Sequence, residues 1–177
     1  MNKLAAVYAN SLFEAAFEEK ADKDILQQAQ QMLDLFDREG QLVKVLDAPT
    51  VTKAEKEQLL DSIFKDETNR YLLNFLKVMT DRKAVLYIKE ALESYIEIYN
   101  KHYGIQKVVA VTAVEMSDEL KEKLVQKLQK TTGKTILLEN KVDKSAIGGV
   151  VLKFGDVQLD SSIAEKLKNI KEELSKI

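Results

Sequence analysis

Cysteine is absent from the 177 residues, and histidine and proline occur once each. Without cysteine there is no disulfide, no zinc–thiolate site and no thiol nucleophile, a composition that suits a reducing compartment. With His102 as the single histidine, neither a histidine-based metal site nor a Cys–His pair can be assembled. No apolar run reaches the ~18 residues needed to cross a bilayer. Acidic residues enter at Glu14, too early for a secretory leader. A dominant charge is also missing: the net charge of −2 argues against a general nucleic-acid binder, which needs a basic face. What remains is 45% apolar and 32% charged, the composition of a core-forming chain with room for one large or two small domains. Charge is uneven along it. Residues 1–104 hold 14 basic against 18 acidic side chains, and residues 105–177 hold 13 against 11.

Residues 3–19 form an alanine-rich helix of unusual anatomy. Lys3, Asn10, Ser11, Glu14 and Glu18 fall in one polar sector of roughly 100°, while Leu4, Ala5, Ala6, Tyr8, Ala9, Leu12, Phe13, Ala15, Ala16 and Phe17 cover an arc of roughly 220°. An ordinary surface helix needs about half of that arc. Two readings stand open: a central helix buried on most sides, or a helix with one inward flank and another that receives a partner helix. Asp22 reads as the N-cap of a helix from Lys23 to Arg38, with Ile25, Ala29, Met32, Leu33 and Phe36 on one face and Glu39-Gly40 as its end. Residues 41–47 allow one or two turns before Ala48-Pro49. Thr52-Lys53-Ala54-Glu55 is a capping box that starts a helix through Phe64. Residues 69–82 present Tyr71, Leu72, Phe75, Leu76, Val78 and Met79 on a broad face with Leu73 set off from it, and a longer helix runs from Val85 to Tyr103. Five full helices and a short one with brief connections predict a six-helix bundle over 1–104.

At Gly104 the period changes. Residues 108–114 are β-branched and extended; Ser117 caps a helix with Leu120, Leu124, Val125 and Leu128 as its stripe, and Thr131-Thr132-Gly133 ends it. Residues 135–142 and 149–154 read as strands, 157–159 as a short fourth, with Gly155-Asp156 as a turn. Asp160-Ser161-Ser162 reads as the N-cap of a last helix whose Ile163, Leu167, Ile170, Leu174 and Ile177 are spaced 4, 3, 4 and 3, a seam suited to helix-on-helix packing. Residues 105–177 are thus a small α+β domain, and the fold class is mainly α.

Catalytic and ligand motifs fail on inspection. Gly133-Lys134-Thr135 suggests a phosphate loop, but the first glycine of that motif would stand at Leu128, and the order is helix, loop, strand, so the amides point the wrong way. Gly148, Gly149 and Gly155 lack dinucleotide-motif spacing and open a strand rather than a helix. Asp143, Asp156 and Asp160 sit at strand ends and turns, where aspartate bonds local amides. His102 closes a long helix, where it is expected to meet the last carbonyls. The tyrosines fall at helical spacing, as core or rim.

The stretch VDKSAIGGVVLKFGDVQLDSSI, containing Asp143, Gly148, Gly149, Gly155 and Asp160, resembles the signature of the δ subunit of rotary ATP synthases, called the oligomycin-sensitivity-conferring protein in mitochondria. AAVYANSLFEAAFE is similar to that family's Tyr-Ala-xx-Leu-Phe opening, APTVTKAEKEQLL to its Pro-xx-xx-Lys segment and NFLKVMTDRKAV to its Phe-Leu-xx-Leu-xxx-Arg segment. Four matches in order over nearly the whole length make the resemblance specific. It implies a stator subunit with no cofactor and no catalytic residues, present in one copy per complex, which resists rotor torque. It further implies that the first domain grips the N-terminal helices of α subunits and the second the C-terminal helices of b subunits. The expected α-binding residues are Leu4, Tyr8, Ser11, Leu12, Ala15, Leu73 and Leu76, and the expected b-binding residues are Ile163, Leu167, Ile170 and Leu174. The five residues of the Gly-Gly block are a structural signature. The expected location is the cytoplasmic face of a bacterial cell membrane, without insertion, since no transit-like leader precedes the first helix. A helical adaptor joined to an unrelated regulatory domain, and a nucleotide-binding enzyme, are the rival readings.

Overall fold

The computed structural model describes residues 3–144, 149–155 and 157–160. They fall into two compact units that divide between His102 and Tyr103. The described residues are mostly helical, with one small four-stranded sheet.

In the first unit, α1 (Lys3–Glu18) packs on α6 (Ile88–His102), which also receives α2 (Asp22–Arg38). The completely buried residues of α1 include Ala5, Ala9 and Ala16, small side chains that let neighbouring helices approach closely. On α6 the buried positions Ile88, Ala91, Leu92, Tyr95 and Tyr99 follow helical spacing, and the Tyr95 hydroxyl donates to the Asp22 carbonyl at 2.9 Å. Burial, and then the Asp22 carboxylate, push the Tyr99 hydroxyl above its ordinary range. Asp22 itself lies inside the first turn of α2 and is buried; the N-cap is Ala21, whose side chain makes no capping bond. An acid in a first helical turn is favoured by the helix dipole. Gly40 does not terminate α2. Glu39 closes that helix by donating its N–H to the Leu35 carbonyl, and Gly40 is the first residue of α3 (Gly40–Asp47), held to the core by the fully buried Leu46.

α4 (Lys53–Phe64) begins at the expected capping box. The Glu55 N–H donates to Thr52 Oγ1 at 3.3 Å, and the Thr52 N–H donates to Glu55 Oε2 at 2.8 Å. The Thr52 hydroxyl, then its backbone N–H, hold the Glu55 carboxyl below its ordinary value. α5 (Arg70–Asp81) is capped by Asn69, and α2 reaches it through Gln28, whose Oε1 accepts from the Asn69 N–H at 2.8 Å. The segment expected as one helix from Val85 divides into a 3-10 turn, Val85–Tyr87, and α6. His102 does not simply cap: its ring lies 5.3 Å from Phe13 and 4.8 Å from Phe17, edge-on to the latter.

The second unit is a sheet in the order β2-β1-β3-β4. β1 (Ile105–Thr112) starts three residues before the expected strand and ends before the exposed Val114. α7 (Asp118–Thr132) connects it to the parallel neighbour β2 (Thr135–Val142), while β3 (Val150–Phe154) runs antiparallel to β1 and forms a hairpin with β4 (Val157–Asp160). Register pairs Val108 with Leu138, Ala110 with Leu152 and Leu152 with Leu159, an apolar strip across one face. On the other face Glu139 takes Lys107 at 3.0 Å and Lys141 at 3.5 Å. Asn140 ties the β1–α7 loop to the sheet: it accepts from the Met116 N–H at 2.8 Å and donates to the Ala110 carbonyl and Thr112 Oγ1, both at 2.9 Å. Gly155 turns the hairpin at φ 57°; a side chain there would meet open space, so backbone conformation alone calls for glycine.

Candidate functional site: a groove between α1 and α5

α1 and α5 pack side by side with a cleft of about 160 Å³ along their seam. Tyr8, Ser11, Leu12 and Ala15 line it from α1, and Tyr71, Asn74, Phe75 and Val78 from α5. Both sets repeat as i, i+3, i+4, i+7, one face of a helix. The two walls therefore run alongside each other for two turns, the length over which a third helix can lay a matching stripe.

The chemistry of the lining is apolar contact. None of the eight residues is an acid, a lysine, an arginine or a histidine, and the Ser11 hydroxyl is engaged by its own helix, donating to the Val7 carbonyl at 3.1 Å. The Tyr71 hydroxyl is engaged too: Arg70 donates to it at 2.7 Å and lies 4.7 Å from the centre of that ring. Such a channel can bury the apolar stripe of an amphipathic helix, and it carries no nucleophile–base pair.

Of the residues expected to bind a partner, Tyr8, Ser11, Leu12 and Ala15 come together here. Leu4 lies one helical turn before Tyr8 and is exposed, outside the lining. Leu73 and Leu76 are buried in the core of the unit and do not line the cleft. Their places on the wall belong to Tyr71, Asn74, Phe75 and Val78. The signal for those four was the same helical spacing, but the apolar arc of α5 is broader than one packing partner needs, so hydrophobicity alone does not say which part of that arc is left uncovered.

In the second unit, the Asp143 N–H donates to the Thr112 carbonyl at 2.8 Å, closing the end of the β1–β2 ladder. Gly149 holds φ 92° just before β3, Gly155 makes the hairpin turn, and Asp160 ends β4 opposite Val151. Gly148, Ile163, Leu167, Ile170 and Leu174 lie outside the described residues. Lys134 follows the left-handed Gly133 that ends α7 and precedes β2, so the order is helix, turn, strand; its ammonium donates to Gln106 Oε1 at 3.3 Å. Among the described residues no cluster of three or more potential metal ligands occurs, and no helix is long and apolar enough to cross a membrane.

Comparison with known proteins gives a consistent result. The family described as ATP synthase delta (OSCP) subunit matches residues 4–174. ATP synthase subunit delta of Clostridioides difficile (strain 630) is 32% identical over 178 residues, which cover 100% of this chain and 98% of the relative. Its counterpart in Alkaliphilus oremlandii (strain OhILAs) is 35% identical over 170 residues, covering 96% and 94%. A chain in the structure of the Toxoplasma gondii mitochondrial ATP synthase hexamer shares the fold with a TM-score of 0.77 at 17% identity, over 98% of each chain. With a full-length family match and relatives aligned almost end to end, this chain belongs to the ATP synthase delta (OSCP) subunits, non-catalytic components of that enzyme's peripheral stalk.

Proposed function

We propose that this chain joins the catalytic head of an ATP synthase to the stalk's b subunits and resists the torque of the rotor, one copy per complex. In this reading residues 1–104 act as one six-helix bundle that holds an N-terminal helix of an α subunit, and residues 105–177 hold the C-terminal helices of b. The observation that carries it is the α1–α5 groove, an apolar channel with two parallel walls of helical spacing and no catalytic group. The bacterial relatives support placement at the cytoplasmic face of a cell membrane, as a peripheral subunit.

The test is a charge placed on the wall. Val78 is 37% exposed, so aspartate there is solvated in the free protein but becomes buried and unpaired beneath a docked helix. Val78→Asp is expected to keep the wild-type circular dichroism spectrum and urea midpoint while weakening binding of the α-subunit N-terminal peptide by about 2 kcal/mol or more. Wild-type affinity in a folded Val78→Asp protein would exclude the groove as the α site.

A further inference from the structure

The groove carries unpaired charge along one lip only. Beside the lining residues Ser11 and Ala15, α1 carries a second stripe, Val7, Glu14 and Glu18, spaced by seven and four residues and exposed throughout. No hydrogen bond or ion pair engages Glu14 or Glu18 among the described residues. On the opposite lip the charges of α5 are already matched. Lys77 meets Asp61 at 2.6 Å, Asp81 meets Lys53, and Arg70 is held by the Tyr71 ring and hydroxyl with Glu19 at 3.9 Å.

We propose that the groove's occupant is an amphipathic helix with lysine or arginine on the flank that lies over α1, paired with Glu14 and Glu18. This rests on the reading of the groove as the α-subunit site and adds the rotational setting of the bound helix. The apolar channel fixes that a helix binds; a symmetric apolar stripe leaves its rotation about its own axis loosely determined. Two uncompensated carboxylates on one lip remove that freedom. A basic flank over α1 gains both pairs, whereas an acidic flank meets like charge as water is excluded. Val7, the exposed apolar member of the stripe, offers a contact for the aliphatic stem of such a lysine or arginine.

The experiment uses the full chain and a peptide of the cognate α subunit's N-terminal helix, titrated at low and high salt. Glu14→Gln/Glu18→Gln is expected to keep the wild-type spectrum and urea midpoint and to weaken binding about three- to ten-fold at low salt, a difference that shrinks at high salt. A peptide with its basic residues changed to glutamate is expected to bind the wild type more weakly and to recover with Glu14→Lys/Glu18→Lys. Equal or tighter binding by Glu14→Gln/Glu18→Gln at low salt, or no recovery in the charge swap, overturns the inference and leaves the groove reading standing. Failure of the wild type to bind the α peptide at all overturns both.

Discussion

Lys20 and Lys83 hold left-handed backbone, with φ of 56° and 55°, where a side chain is strained and glycine is not. Each follows a helix whose last turn is closed across it: the Ala21 N–H donates to the Ala16 carbonyl and the Ala84 N–H to the Met79 carbonyl, both at 2.8 Å. Replacing Lys83 by glycine relieves that strain at the cost of a looser unfolded chain, so a net gain of up to about 1 kcal/mol is expected, read as a higher urea midpoint. A lower midpoint would mean that the lysine side chain contributes more than its backbone costs. Asn140 is the opposite case, a side chain fitted to three partners at once. Asn140→Ala leaves the Met116 N–H and the Ala110 carbonyl without it, and a loss of about 1–3 kcal/mol is expected. Hydrogen exchange at Met116 should accelerate more than exchange in α1, which lies in the other unit. Uniform acceleration at both would contradict the local role.

The helix that decides the groove is α5, whose inward and outward apolar residues differ in burial rather than in kind. Leu76 is completely buried and Val78 is part-exposed, two positions away and on another face. Leu76→Ala is expected to cost about 2–5 kcal/mol of stability through the cavity it leaves. Val78→Ala is expected to cost no more than about 1 kcal/mol and instead to weaken α-peptide binding. If both substitutions destabilised equally and neither touched binding, the outward face of α5 would be ordinary core. α7 shows the same principle in reverse. Its caps were legible, Ser117 accepting from the Leu120 N–H and Gly133 taking the left-handed end, yet none of its residues is buried. Leu120 stands exposed, and a cavity of about 380 Å³ lies between α7 and β2, lined by Val125, Ile136 and Leu138 among others.

Across the whole molecule, the change of period at Gly104 falls two residues from the division between the compact units. The side chains that close the first unit are its own: the His102 ring rests on Phe13 and Phe17, and Tyr95 reaches the Asp22 carbonyl. A fragment of residues 1–104 keeps all of these contacts. It is expected to show a helical far-UV spectrum and one cooperative urea transition near that of the full chain's first unit. A broad, non-cooperative unfolding would show that this unit depends on the rest of the chain.

The amino-acid sequence by itself determined what is encoded within a few residues. The Thr52–Glu55 box, the Ser117 cap and the Gly155 turn each follow from dihedral preference or a short-range hydrogen bond, and the helical and extended periods follow from the alternation of apolar positions. The family, too, was legible, because its signature is carried by turn residues and their spacing. Tertiary structure decided which surplus apolar residues turn inward. Gln28 reaches the start of α5 across 41 residues, and Asn140 reaches β1 across 30. The His102 ring packs on two phenylalanines far upstream, Leu46 of the short α3 lies in the core, and Leu73 and Leu76 are buried while Tyr71, Asn74, Phe75 and Val78 line the groove. These outcomes depend on partners distant in the chain, and an apolar arc broader than one partner needs carries no local mark of which part those partners will cover.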